Sequence, residues 1–349
     1  MRIRLFLVGL AAAAAVASAG QTAPPQTAPE AVSTLKVAGY FSADYVRSQD
    51  PGGGWTGSFV NARGGLLFSG DWSANFGYAL EFTLVSGGAA GIEQAWAVAR
   101  LSEAIQIRAG LYLVPFGRYN ESRRPFQTSL VLDPHPVGTL YPFSWRDLGL
   151  VLTGRMGRLQ YAGYIGNGLA EGETLAEGQQ FSDNNRDKGW GGRLSYALTQ
   201  TLEVGASYSR ALVDPAGSRR RKMWGADLAW GSEAFMILGE YAKAEIANPE
   251  PFAPGEAEAF FGMVTFKFGP FFPLASYESL TYDDPFHGPG FGGAGSPGTG
   301  ISRGETRWAL GFVYPLHPNF RLKLEYDLNR EKDGESRNDI LRLQAAVRF

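Results

Sequence analysis

The chain has no cysteine among its 349 residues, so disulfides, thiolate metal sites and a cysteine nucleophile are all excluded. Histidine is nearly as scarce. His135, His287 and His317 are the only three, and none has a spaced serine partner of the kind a hydrolase needs. No apolar run reaches the roughly 20 residues of a bilayer-spanning helix. Charge of one sign is lacking too: 32 basic and 34 acidic residues leave −2, which implies no nucleic-acid or polybasic membrane partner. No motif implies a cofactor or metal centre. What is abundant is glycine, at 46 residues, with 13% aromatics, a composition suited to tight turns, close strand contacts and interfacial belts.

The two ends point to export and to a membrane barrel. Arg2 and Arg4 precede an apolar run from Ile3 to Val16, and Ala17-Ser18-Ala19 offers small residues for cleavage, the layout of a secretory signal peptide over 1–19. Its removal would take the charge from −2 to −4 (−2 minus Arg2 and Arg4). Residues 20–33 are rich in Pro and Ala and read as an extended periplasmic linker. At the other end, Leu341, Leu343, Ala345, Val347 and Phe349 alternate with Arg342, Gln344 and Arg348. A charged face opposite an apolar one suits a strand between lipid and a watery lumen. This ending resembles the final strand of outer-membrane barrels, which implies recognition by the barrel assembly machinery.

Strand-like segments recur from Thr34 to Phe349, separated alternately by short turns and longer loops. They are read as one all-β domain over 34–349, a transmembrane antiparallel β-barrel of about 16 strands. Phe76, Tyr78, Leu80, Phe82 and Leu84 oppose Glu81 and Thr83, and Phe320, Leu322, Leu324, Tyr326 and Leu328 oppose Arg321, Lys323, Glu325 and Asp327. Val60, Ala62, Leu66 and Phe68 are likewise read on one lipid-facing side, against Asn61, Arg63 and Ser69. Two stretches resist assignment: 91–101, whose wet face is not evident, and 235–282, where the alternation fades. An even strand count puts both termini and the short turns at the periplasmic end, with Trp230, Tyr314 and Phe320 as its aromatic belt.

Between the fifth and sixth strands, Val114 to Arg146 forms a connection of about thirty residues, far beyond an ordinary hairpin loop. It is the third outward loop, and its apolar, proline-rich stretch Val131 to Pro142 suits packing inward. Here Pro115-Phe116-Gly117 and Arg146-Asp147-Leu148-Gly149, within Arg108 to Gly154, resemble the phosphate-selective porin O and P family. That resemblance implies a sixteen-stranded homotrimeric porin of the bacterial outer membrane whose third loop narrows a channel for small hydrophilic solutes. The dense lysine ladder of its best-known members is absent.

Arg118, Arg123 and Arg124, with Arg146 at the loop's exit, are therefore expected at the constriction. Arg63, Arg108, Arg155, Arg193, Lys323, Arg342 and Arg348 are expected along the lumen wall. Together they would favour anions, because charges beside low-dielectric walls focus the field on a permeating ion. The competing expectation is that these arginines pair with lumen carboxylates and brace the loop. Arg219-Arg220-Arg221-Lys222 could meet lipopolysaccharide phosphates in the outer-membrane lipid, or form a solvated loop. Asp183, Asn185 and Asp187 have the opening spacing of a calcium loop, but Lys188 replaces its turn glycine. A barrel enzyme, and a structural or adhesive barrel with a plugged lumen, remain as alternatives.

Overall fold

The computed structural model describes residues 35–50, 53–288, 304–332 and 338–349. The expected signal peptide and linker lie outside these residues, as does most of the glycine-rich loop from Pro285 to Gly300. Sixteen strands follow one another in the chain. The first eight are β1 Lys36–Gln49, β2 Trp55–Asp71, β3 Phe76–Val85, β4 Ala89–Arg100, β5 Gln106–Leu113, β6 Arg146–Met156, β7 Leu159–Gly166 and β8 Gly189–Ala197. The rest are β9 Leu202–Leu212, β10 Arg220–Gly231, β11 Phe235–Ile246, β12 Gly255–Phe266, β13 Phe272–Asp284, β14 Glu305–His317, β15 Phe320–Glu331 and β16 Ile340–Arg348. Each pairs antiparallel with its sequence neighbours, and β16 closes on β1 with Ala345 opposite Ala43. Closure satisfies every strand edge, which a bilayer demands because lipid offers no hydrogen bonds.

The alternation read from the sequence sorts onto two faces. On β14, Trp308 and Leu310 are exposed on the outer surface while Arg307 and Ala309 are buried inside. Aromatic rings gather in two bands on the outside. Trp72 stacks on Tyr78 at 5.1 Å, Trp230 meets Phe235 at 5.2 Å and Phe271 stacks on Tyr314 at 4.9 Å, all beside short turns. Nearer the long loops, Trp190, Tyr208 and Trp224 form a chain with centroids 5.5 and 6.0 Å apart, and Tyr277 meets Trp308 at 4.7 Å.

Two bulges reset the alternation. Between β1 and β2, Arg63 pairs with Ser42 and Val60 with Asp44, so Asn61 and Ala62 together oppose Ala43. Asn61 takes a φ of +54° to make this possible. The faces exchange beyond it: Phe59 points outward beside Tyr45, and Val60, expected on the lipid side, shares the inner face with Asp44. Between β3 and β4, Glu81 pairs with Gln94 and Phe82 with Ile92, leaving Glu93 as the extra residue. The bulge turns Glu93 inward alongside Gln94, and Glu93 is buried. This identifies the wet face of β4 that alternation alone did not.

The irregular region 235–282 has a different cause. On β11 to β13 the inner face carries Ala242, Ala244, Ala257, Ala259, Phe261 and Met263, all buried. Apart from anchors such as Glu240 and Glu278, much of the inner face is apolar because the long loop covers it. A charge placed on the outer face should be costly where the same charge inside is tolerated. Leu310→Arg, near the middle of β14, is expected to lower the unfolding free energy in lipid vesicles by about 2–4 kcal/mol, measured by urea titration against the wild-type barrel.

Candidate functional site

The site is built on the loop between β5 and β6, which folds into the barrel and runs along its inner wall. Its base is closed by Asn120, in the single helical turn α1 (Tyr119–Ser122). The Asn120 amide donates to the carbonyls of Val114 and Trp145, both at 2.9 Å, and its oxygen accepts the Trp145 N–H at 2.9 Å. Gly117 has φ +62°, and a Cβ there would collide with the Glu240 carboxylate, so only glycine lets the chain bend over β11.

From this bend the loop travels out to β15 and returns. The Arg118 and Tyr119 N–H groups donate to Glu240 Oε2 at 2.8 and 3.0 Å. At the far end, Arg321 donates to the Phe126 carbonyl at 2.9 Å, and Lys323 to Thr128 Oγ1 and the Leu130 carbonyl at 3.0 and 3.1 Å. The Val131 and Leu132 N–H groups donate to the two oxygens of Glu325, at 2.7 and 2.9 Å. On the way back, Arg307 donates to the Asp133 carbonyl at 2.8 Å, and the His135 N–H donates to Glu278 at 3.0 Å. The Tyr141 hydroxyl then returns to Glu240 at 2.5 Å. Between these stations, Leu130, Val137 and Leu140 are buried, and Phe116, Tyr141 and Trp145 form a ring cluster with centroids 5.4 to 5.7 Å apart.

The four arginines expected at the constriction each meet a carboxylate. Arg118 pairs with Glu203 at 2.8 Å, and Arg124 grips Glu81 with two nitrogens at 2.8 and 2.5 Å. Arg123 and Arg146 converge on Glu93: Arg123 in direct contact, Arg146 at 3.7 Å. Arg123 also lies 4.5 Å from the centre of the Phe143 ring. Burial pulls the Arg123 guanidinium down to about 10, with Asp133 and Tyr40 opposing the shift; the group stays charged at neutral pH.

The wall residues divide into paired and unpaired groups. Arg193 is held by Asp227 at 2.6 Å and Glu203 at 3.2 Å, and Arg342 by Asp327 at 2.8 Å. Lys323 is fully enclosed against the loop and faces no open lumen. Arg63 and Arg348 lie beside Phe143 and Phe126, at 5.5 and 4.4 Å from the ring centres. Arg108 sits 5.0 Å from the Trp96 ring. Among the described residues, neither Arg108 nor Arg155 has a carboxylate within 4.0 Å. Both line a cavity of about 340 Å³ on the β5–β8 side, opposite the wall the loop covers. Arg193, Gln160 and Thr153 share its walls, and Glu121 reaches it from the loop.

Glu93 and Glu121 were not anticipated as site residues. The broken alternation over 91–101 was the only sign of the first, and the second is one acid in a loop with no period. Of the basic run in β9–β10, Arg219 donates to the Ala247 and His287 carbonyls at 2.9 and 2.7 Å, and Arg221 to Leu175 at 3.0 Å, so both are engaged internally. Arg220 stays exposed and Lys222 pairs with Glu245 at 2.6 Å. Asp183 binds Lys188, the residue that displaces the calcium-loop glycine.

A family model described as Gram-negative porin matches residues 7–334. An uncharacterized protein of Aquifex aeolicus (strain VF5) is 28% identical over 159 residues, 41% of this chain and 36% of that protein. The match thus spans little more than a third of that relative's length. The anion-selective porin from Comamonas acidovorans superposes with a TM-score of 0.67 at 12% identity, covering 91% of this chain and 99% of that one. The in-vitro folded, trimer form of OmpT, an outer membrane protein of Vibrio cholerae, gives 0.63 at 12% identity, with the same coverage. At these identities the likeness to the solved structures is one of fold.

Two outcomes follow from the loop's anchorage. Glu325→Ala leaves two enclosed N–H groups without an acceptor and is expected to cost about 2–4 kcal/mol; limited trypsinolysis should then cut at Arg123 or Arg124, which the wild-type barrel protects. The second concerns acid. Burial, then Arg307, holds His135 down at about 3, against an ordinary 6.5. Above about pH 6.5 the ring is neutral folded or unfolded, and as pH falls toward 3 the unfolded chain takes up the proton first, so stability is lost. His135→Gln should flatten the fall in melting temperature between pH 7 and 4.

Proposed function

The chain belongs to the Gram-negative porin family, an outer-membrane channel rather than an enzyme, and from that premise we propose that it passes small hydrophilic solutes with a preference for anions. The observation that carries the preference is the cavity beside β5 and β6, where Arg108 and Arg155 face the water without carboxylate partners. Glu121 opposes them across the same space and Glu103, in the turn before β5, lines it too, so a permeating solute meets three arginines, Arg193 among them, and two acids. Fields of this kind act strongly between low-dielectric walls. The arginines of the loop contribute less, because Glu81, Glu93 and Glu203 neutralise them at contact distance. The Comamonas acidovorans protein of like fold is described as anion-selective, which accords with this reading.

A preference for phosphate among anions is a narrower proposal. It draws on Pro115-Phe116-Gly117 at the loop's entry and Arg146-Asp147-Leu148-Gly149 at its exit, and on guanidinium forks that match phosphate oxygens. Assembly as a homotrimer accords with the trimer form of the Vibrio cholerae protein. Exposed Arg220 is the member of the basic run open to lipopolysaccharide, and β16 is the strand offered to the assembly machinery.

Reversal potentials across a planar bilayer under a KCl gradient test the preference. Replacing Arg118, Arg123 and Arg124 with Ala takes one arginine from each of Glu203, Glu93 and Glu81, so a shift toward cations there would not separate steering from bracing. Arg108→Ser with Arg155→Ser removes cations that hold no carboxylate, at the loss of one ring contact between Arg108 and Trp96. The double variant is expected to move the reversal potential toward cations with little change in stability; an unchanged potential would remove these residues from any role in selectivity. Mixed-anion recordings with phosphate would test the narrower reading.

A further inference from the structure

The stretch with the opening spacing of a calcium loop borders a cavity that the pore does not use. Arg186 and Asp187, in the loop between β7 and β8, share the walls of a space of about 810 Å³ with Arg210 and Leu212 of β9 and with Pro215 and Ala216 beyond them. The two loops are fixed to each other. The Asn185 side chain donates to the carbonyls of Leu212 and Asp214 at 3.0 and 3.3 Å, and that of Asn184 to Val213 at 3.0 Å. On β9, Ser209 and Ala211 are buried inside, so Arg210 and Leu212 stand on the lipid-facing side, in line with Tyr208 of the upper aromatic chain. Arg210 lies opposite Trp190 on β8 and Lys222 on β10, and Lys222 Nζ is 5.9 Å from the centre of the Trp224 ring. Aromatic girdles mark the level of the lipid head groups. Arg210 is two residues beyond Tyr208, roughly 7 Å along the strand, so the cavity opens among head groups and not into the lumen.

The acids in its walls are already engaged. Asp183 is in direct contact with Lys188, and Asp187 faces Arg210 at 3.6 Å. No group of three acids or histidines among the described residues could hold a metal ion. Arg186 has no carboxylate within 4.0 Å among the described residues, and neither its guanidinium nor that of Arg210 donates a hydrogen bond there. The unused capacity of the cavity is therefore two guanidinium forks, beside the apolar surface of Leu212, Pro215 and Ala216. Such a fork matches a phosphate, and a phosphomonoester carries close to two charges at neutral pH, enough to meet both arginines. A free phosphate would leave the apolar wall wet, whereas a lipid would cover it and continue over the aromatic chain.

We propose that this cavity binds the head group of an outer-leaflet lipid that carries a phosphomonoester, with Arg186 and Arg210 on the phosphate and the acyl chains passing over Tyr208 and Trp190. The proposal rests on the outer-membrane setting and not on the pore's preference for anions. It also places the lipid in the cavity and not on Arg220, which lies opposite Leu212 on β10 but is no part of the walls. Calorimetric titration of the purified barrel in neutral detergent with dihexanoyl phosphatidic acid tests it. The wild type is expected to bind this lipid at least about tenfold more tightly than inorganic phosphate or dihexanoyl phosphatidylcholine, whose phosphate is capped by choline. Arg186→Gln and Arg210→Gln should each weaken it at least about tenfold, the loss of one hydrogen bond to a charged group. Arg186 is exposed in a loop, so its variant decides the matter if Arg210→Gln does not fold, as judged by gel mobility before and after heating. Arg220→Gln, and the Arg108→Ser, Arg155→Ser variant, should bind as the wild type does, which separates this site from the basic run and from the selectivity reading. Chelation of divalent cations with EDTA should leave the affinity unchanged. Equal binding of phosphatidylcholine or inorganic phosphate, unchanged affinity in Arg186→Gln, or loss of binding in EDTA would overturn the proposal.

Discussion

Three carboxylates on alternate strands, Glu240 on β11, Glu278 on β13 and Glu325 on β15, accept backbone N–H groups from the loop that occupies the barrel. A loop drawn in from the solvent loses water from its peptide groups, and each buried group left unpaired costs free energy comparable to a lost hydrogen bond. Charged acceptors meet that need more strongly than neutral ones. Arg307, Arg321 and Lys323 do the complementary task for loop carbonyls. The wall thus supplies both halves of the hydrogen bonding that a β-ladder would otherwise give, and a segment with almost no regular structure acquires a fixed course. Everything about the passage, its width and which charges reach it, depends on the loop lying along this one wall.

The same interaction explains which parts of the molecule could be read from the sequence. Alternation is visible where the outer face meets lipid and the inner face carries charged or polar side chains, as in β3 and β15, even though Glu81, Lys323 and Glu325 meet the loop. It fades on β11 to β13 because Ala242, Ala257 and Phe261 face a packed loop rather than water, and packing asks for apolar residues on both sides. At Asn61 and Glu93 it breaks because a bulge adds a residue to one strand, which a strict period of two cannot represent. The length of the loop and its apolar stretch from Val131 to Pro142 were enough to place it inside. The identity of its anchors was not evident, because a lumen glutamate that accepts a peptide N–H looks, in sequence, like one that faces solvent.

The charged residues were harder to interpret than the strands for a related reason. Counting arginines near a constriction gives a local charge only if their partners are known, and those partners come from distant strands: Glu81 from β3 and Glu93 from β4 for the loop, Glu203 from β9 for Arg118. In a site with lowered dielectric these pairs have little field left for a passing ion, since each cation's potential is largely cancelled within a few ångströms. Arg108 and Arg155 look no different in sequence from the other lumen arginines; what sets them apart is that they line an open cavity with no carboxylate within 4.0 Å among the described residues.

A division of labour between the two halves of the lumen follows. On the β9–β15 side the charges serve the loop and are consumed by it, so altering them changes stability before it changes transport. On the β5–β8 side Arg146 and Arg193 are likewise held by carboxylates, but Arg108 and Arg155 are not, and they can act on solutes at little structural cost. Because the loop leaves β5 and returns into β6, it is tied at its base to the strands that bear Arg108 and Arg155. Its far reach is secured to the opposite wall, and Glu121 in α1 is thereby held facing them. The position of that one acid against the wall cations is fixed by glutamates it never touches, which is how anchorage on one wall of the barrel can set the electrostatics of the other.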